Sequence, residues 1–127
     1  MAENKTPHGT FCWNECVSTD TTKATKFYTE LLGWKAETQD MGDMKYTLLK
    51  AGDKMAGGLM AMPETCKGFP SHWMSYIAVD DVDGMIEKIT ELGGKVAFGP
   101  MDIPEVGRFV TIEDPTGAFV SLITLTE

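Results

Sequence analysis

The sequence repeats itself, and the repeat limits the folds open to it. Trp13 to Gly33 overlays Trp73 to Gly93 at an offset of 60, and Tyr46 to Leu59 overlays Phe109 to Leu122 at an offset of 63. Each copy opens with an extended stretch, Thr10–Val17 or His72–Val79, followed by a segment of helical period. In the first helix Ala24, Phe27, Tyr28, Leu31 and Leu32 form one apolar stripe; in the second, Val82, Met85, Ile86, Ile89 and Leu92 do so. Asp20 or Thr21 is placed to cap the first, Asp80 or Asp81 the second, and Gly33 and Gly93-Gly94 stop them. A short extended piece and a hairpin follow each helix. The hairpins are Lys45–Leu49 with Lys54–Met60, and Arg108–Glu113 with Phe119–Thr124, the latter turning at Asp114-Pro-Thr-Gly117. The three extra residues of the second copy are expected in a loop, Gly99–Gly107.

The pattern therefore predicts an α+β fold of two βαβββ modules that pair their sheets around a concave site, with the helices outside. At 127 residues the chain suits one domain. Module 8–62 and module 71–126 are expected to be joined by linker 63–70, rich in Pro and Gly.

A net charge of −8 argues against nucleic acid and against an anionic membrane surface as partners, since both need a basic face. No apolar run approaches the ~20 residues of a membrane span, and the short polar start lacks the apolar core of a secretory leader. In a strand, Cys12 and Cys16 would stand ~13 Å apart, beyond the ~7 Å that a disulfide allows. Three cysteines (Cys12, Cys16, Cys66) without CxxC spacing suit a reducing cytoplasm, where they read as small buried hydrophobes.

Asp20 with Phe27–Trp34, then Val79-Asp-Asp81, Leu92-Gly-Gly94 and Asp114-Pro-Thr-Gly117, resemble in order the landmarks of the glyoxalase / bleomycin-resistance / extradiol-dioxygenase group, the vicinal oxygen chelate superfamily. The resemblance spans about residues 8 to 126, and Cys12-Trp-Asn-Glu15 with Gly33-Trp34 is similar to a glyoxalase-like branch. Metal-dependent members place one His or Glu on each of four strands. By distance from the landmarks those positions are Trp13, Gly58, Met74 and Ser121 here, and none suits a divalent metal that prefers N and O donors. The departure from that pattern leads to the expectation of a site with no metal and no cofactor.

Strand alternation puts Trp13 and Glu15 on one face, and Met74 and Tyr76 on one face. An aromatic wall and a carboxylate suit a cationic or donor-rich ligand, and Trp73 offers a second opening-strand tryptophan. Met60, Ser121 and Arg108 complete the candidate lining, with Arg108 placed to pair with Glu15 or to grip an anion. Glu15 and Tyr76 are the candidate acid/base groups. His72 and His8 read as strand-end and terminal residues. Three functions remain open: a metal-free binder of a small organic molecule, a metal-independent lyase or isomerase, and a non-catalytic dimerisation module. A homodimer is expected, because open sheet edges invite pairing and a chain of this kind can also swap halves with a partner.

Overall fold

The computed structural model describes residues 6–40, 45–63, 68–103 and 106–126. Its elements run β1 (Thr10–Ser18), α1 (Thr21–Leu32), β2 (Lys35–Asp40), β3 (Lys45–Ala51), β4 (Lys54–Ala61), β5 (His72–Ala78), α2 (Val82–Glu91), β6 (Lys95–Ile103), β7 (Gly107–Glu113) and β8 (Phe119–Leu125). This is βαβββ twice over, as the repeat requires. The chain gathers into two compact units, and the division falls inside β1 and β5. Asn14–Met74 forms one contiguous unit, while Met1–Trp13 joins Ser75–Glu127 in a split unit.

In the contiguous unit the strand order is β2-β3-β4-β1. β2, β3 and β4 form an antiparallel meander, and β1 adds parallel to β4 with Glu15 opposite Gly58. α1 starts where the Asp20 carboxylate accepts from the Lys23 N–H at 3.0 Å, and it stops at Gly33, whose φ of 73° few other residues tolerate. Its inner side covers Cys16, Leu49 and Leu59 with Ala24 and Tyr28. The apolar stripe expected to be buried is buried only in part. Phe27, Leu31 and Leu32 stand 58%, 62% and 51% exposed, because a core of three buried residues reaches only the Ala24–Tyr28 side of the helix.

The split unit repeats the order as β5-β8-β7-β6, with β5 parallel to β8 and Tyr76 opposite Ser121. Here Val82, Met85, Ile86 and Ile89 of α2 do close on Val79, Val110 and Leu122; Leu92 lies beyond the helix and is exposed. Full burial of each such side chain stabilises by about 1.5–3 kcal/mol. The helix begins at Asp81, whose side chain makes no cap bond. Thr124 Oγ1 on β8 accepts from the Val82 N–H instead, at 2.9 Å.

Two expectations need correction. Strand pairing and helix starts match at an offset of 61, since Glu15 corresponds to Tyr76 and Asp20 to Asp81. The offset of 60 holds only at the left-handed glycines Gly33 and Gly93, because α2 is shorter, 10 residues against 12. The hairpin offset of 63 holds, pairing Tyr46 with Met60 and Phe109 with Ile123. The segment from Gly99 is not a loop, for β6 continues to Ile103 and absorbs the three extra residues. β6 lies at the end of its unit's strand order, where the missing N–H of Pro100 costs little, and its register slips twice, between Val96 and Phe98 and between Phe98 and Met101. Cys66 and residues 64–67 of the expected linker lie outside the described residues. No described helix is long and apolar enough to cross a membrane.

Candidate functional site

In the contiguous unit, Cys16 and Leu59 pack under α1, so their neighbours Glu15 and Gly58 face the other way. Glu15 is only 5% exposed on that face. It is not alone there. The Tyr46 hydroxyl, from β3, donates to Glu15 Oε1 at 2.7 Å. Between them runs β4, and the residue at the crossing is Gly58. A Cβ built on Gly58 would fall inside the van der Waals envelope of Tyr46 Oη, Cζ and Cε2. The bare glycine is therefore what lets the phenol lie across β4. Met60, half-buried and the register partner of Val17 and Tyr46, follows two residues on along the same face.

The other side of the sheet is aromatic. Trp73 Nε1 donates to the Tyr28 hydroxyl at 3.1 Å, and its ring meets Tyr28 and Trp34 edge-on. Trp73 thus packs on the helix-covered face of its unit. Trp13 is half-buried in the part of β1 that belongs to the split unit, and Met74 is buried at the end of the contiguous unit.

The split unit carries hydroxyls and rings. Tyr76 is 4% exposed; its ring lies 5.9 Å from Phe109, which in turn lies 6.0 Å from Phe98. Ser121 is fully buried, and it shares a 2.8 Å hydrogen bond with Thr111. Arg108 is engaged within its own unit. Its guanidinium donates to both carboxylate oxygens of Asp83, at 2.8 and 3.2 Å, and to Asp102 at 3.2 Å, on the surface. Asp83 sits in the first turn of α2, close enough to claim the guanidinium. His8 Nδ1 accepts from the Asp80 N–H, and His72 Nδ1 lies 2.9 Å from the Pro70 carbonyl, so both act as local fasteners.

Cys12 and Cys16 are free thiols. Burial pushes the Cys16 thiol up, and the Glu15 charge beside it pushes it further; burial alone raises Cys12. Neither is poised as a thiolate nucleophile. Among the described residues no group of three His, Cys, Asp or Glu side chains could hold a metal. Nor do the four positions that the family resemblance assigns to ligands fit one. Trp13 and Met74 offer no hard donor, the Ser121 hydroxyl is tied to Thr111, and Gly58 has no side chain in a space that Tyr46 fills. A separate cleft of about 250 Å³ opens at the ends of β1 and β4, between Ser18, Thr19, Met62 and Phe69.

Tyr46 went unnoticed in the sequence. The signal was there in Gly57-Gly58, a glycine pair inside a strand, which marks a close approach by another group.

Two βαβββ units with matching strand orders, and a polar group on the helix-free face of one, define a class of proteins built by doubling one module. The chain belongs to the Glyoxalase/Bleomycin resistance protein/Dioxygenase superfamily, whose family model matches residues 15–122. It is 40% identical over 116 residues to the glyoxylase-named protein CFP32 of Mycobacterium bovis, covering 91% of this chain and 44% of that one. It is 29% identical to the anthracycline biosynthesis protein DnrV of Streptomyces peucetius, covering 87% of this chain and 45% of that one. The chain thus spans less than half the length of these relatives. In fold it is similar to methylmalonyl-CoA epimerase from Mycobacterium tuberculosis, with a TM-score of 0.66 at 16% identity over 100% of this chain and 97% of that one.

Proposed function

We propose that this chain binds a small organic molecule without a metal, on the sheet face that carries Glu15, and that the ligand presents a cationic or donor group to that carboxylate. One observation carries the reading: a carboxylate 5% exposed and held by a phenol. Burying a carboxylate is costly unless it is hydrogen-bonded and used, and acceptor groups of this kind select N–H donors. The kinship with DnrV, whose name places it in anthracycline biosynthesis, favours an aromatic ligand, and Met60 adds a deformable apolar wall. A thermal-shift screen of protonated aromatic amines against their neutral alcohol counterparts tests this. A ligand at 100 times its Kd stabilises by about 2.7 kcal/mol. Stabilisation by the amines alone, abolished in Glu15→Gln, is the expected result; equal response to both series, or to neither, refutes the reading.

The same burial beside a phenol favours a second reading, a metal-independent lyase or isomerase with Glu15 as acid/base and Tyr76 as the alternative. Turnover of a bound ligand, lost in Glu15→Gln with binding retained, would decide for it. We also propose a homodimer in a reducing, cytoplasmic setting. Exposed Phe27, Leu31 and Leu32 on α1 and two free thiols support it, and light scattering at a monomer mass would overturn the dimer.

A further inference from the structure

We infer that Tyr46 is the positioning residue for Glu15, and that its hydroxyl holds the space which a metal ligand at position 58 would need. The inference deepens the proposed function, since it explains how the carboxylate read there as ligand-holding is kept in place. Tyr46 and Glu15 stand on β3 and β1, with β4 between them. Tyr46 is level with Met60 and Val17, so its backbone lies two strand spacings across from Glu15, about 9.6 Å, and two residues along. The Tyr46 phenol closes that gap by lying across the middle strand, through the space where a Cβ on residue 58 would stand.

Gly58 leaves that space to the phenol. Any other side chain begins with a Cβ inside the phenol ring's own volume. His or Glu at 58 and the Tyr46–Glu15 bond therefore exclude one another. The site cannot be a metal site with one ligand lost; its atoms belong to a different arrangement.

The second copy of the module supplies an internal comparison. At the counterpart of Gly58 it carries Ser121, which has a side chain, and at the counterpart of Tyr46 it carries Phe109, which has no hydroxyl. Phe109 meets Tyr76, the counterpart of Glu15, ring to ring at 5.9 Å across β8, and the phenol and carboxylate of the first copy are replaced there by two rings. Phenol and bare glycine occur together in one copy, and both are missing from the other.

The test needs no ligand. The full chain is labelled with ¹³C at the glutamate side-chain carboxyls, and the Glu15 signal is assigned as the one absent from Glu15→Gln. Its titration is then followed in wild type, Tyr46→Phe, Gly58→Ala and the double variant. Loss of a donor that favours the charged carboxylate raises the midpoint, by about one unit for one hydrogen bond to a charged group. Tyr46→Phe and Gly58→Ala should each raise it by a similar amount, and the double variant by no more than either. An unchanged midpoint in Tyr46→Phe, or additive shifts in the double variant, overturns the inference. If Gly58→Ala does not fold, Tyr46→Phe decides alone. An empty ligand screen would sink the binding function and leave this result standing, so the two failures are distinguishable.

Discussion

Thr111→Val removes one hydroxyl and keeps the shape of the side chain, and its cost should be out of proportion to the change. Thr111 and Ser121 face each other across β7 and β8, and their hydroxyls share one 2.8 Å bond. Ser121 is wholly buried, so water cannot replace a lost partner. Leaving a buried hydroxyl unsatisfied costs about 1–3 kcal/mol, whereas removing both partners can be nearly neutral. Thr111→Val alone should therefore cost about 2 kcal/mol, and Thr111→Val with Ser121→Ala should recover most of it. Urea denaturation reads this directly, since at a slope of roughly 2 kcal/mol per molar the single variant moves the midpoint by about 1 M. The slope itself should stay constant across the four proteins. Additive costs, within about 0.5 kcal/mol, would refute the reasoning. They would mean that the Ser121 hydroxyl is satisfied by something other than Thr111.

Gly58→Ala should cost about 2–4 kcal/mol by denaturation, from overpacking and the lost bond to a charged group, and less than about 1 kcal/mol when Tyr46 is already Ala. Asp20→Ala should cost about 1 kcal/mol because it deletes a formed cap bond, while Asp81→Ala, which deletes none, should cost measurably less in the same thermal melts. Labelling of Cys16 by a thiol reagent should accelerate only above the ordinary thiol range, because burial and then the Glu15 charge raise its pKa. Removing the charge with Glu15→Gln lowers that pKa, so the rate profile should move to lower pH; an unmoved profile would show that the charge does not act on the thiol.

The strands and helices were legible because the periods and stop signals are strong. Asp20, Gly33 and Asp114–Gly117 do in the structure what their residue types promise; the Asp114 carboxyl, for instance, accepts from Thr116 and Ala118 and is held below the usual carboxylate range by those bonds. The repeat itself was legible too, though matching Trp13 to Trp73 put the opening strands one residue out. What alternates along a strand is a face, and identity between two large side chains carries no information about faces; Trp73 lies against Tyr28 on the helix-covered side, while Glu15 looks the other way. Glu15 could be singled out as a strand carboxylate, but its partner could not. Tyr46 lies 31 residues away and two strands over, a distance that only the order β3-β4-β1 makes short. Arg108 misled for the opposite reason. Its partners are Asp102, opposite it on β6 where a loop was expected, and Asp83, on a helix whose approach depends on the tertiary fold.

The way the two helices begin has a consequence for how the chain is made. α1 is capped from within three residues, so it can start as soon as its own segment exists, and its unit is one unbroken stretch ending at Met74. The first backbone N–H of α2, that of Val82, donates to the Thr124 hydroxyl 42 residues further on, and the unit around it also needs residues from before Asn14. A chain growing from its N-terminus can therefore complete the contiguous unit first, while residues 10–13 of β1 wait for partners from Ser75 onwards that do not yet exist. During that wait Phe11 and Trp13 have no unit of their own to enter, and the exposed edge they offer is the one a neighbouring nascent chain could capture.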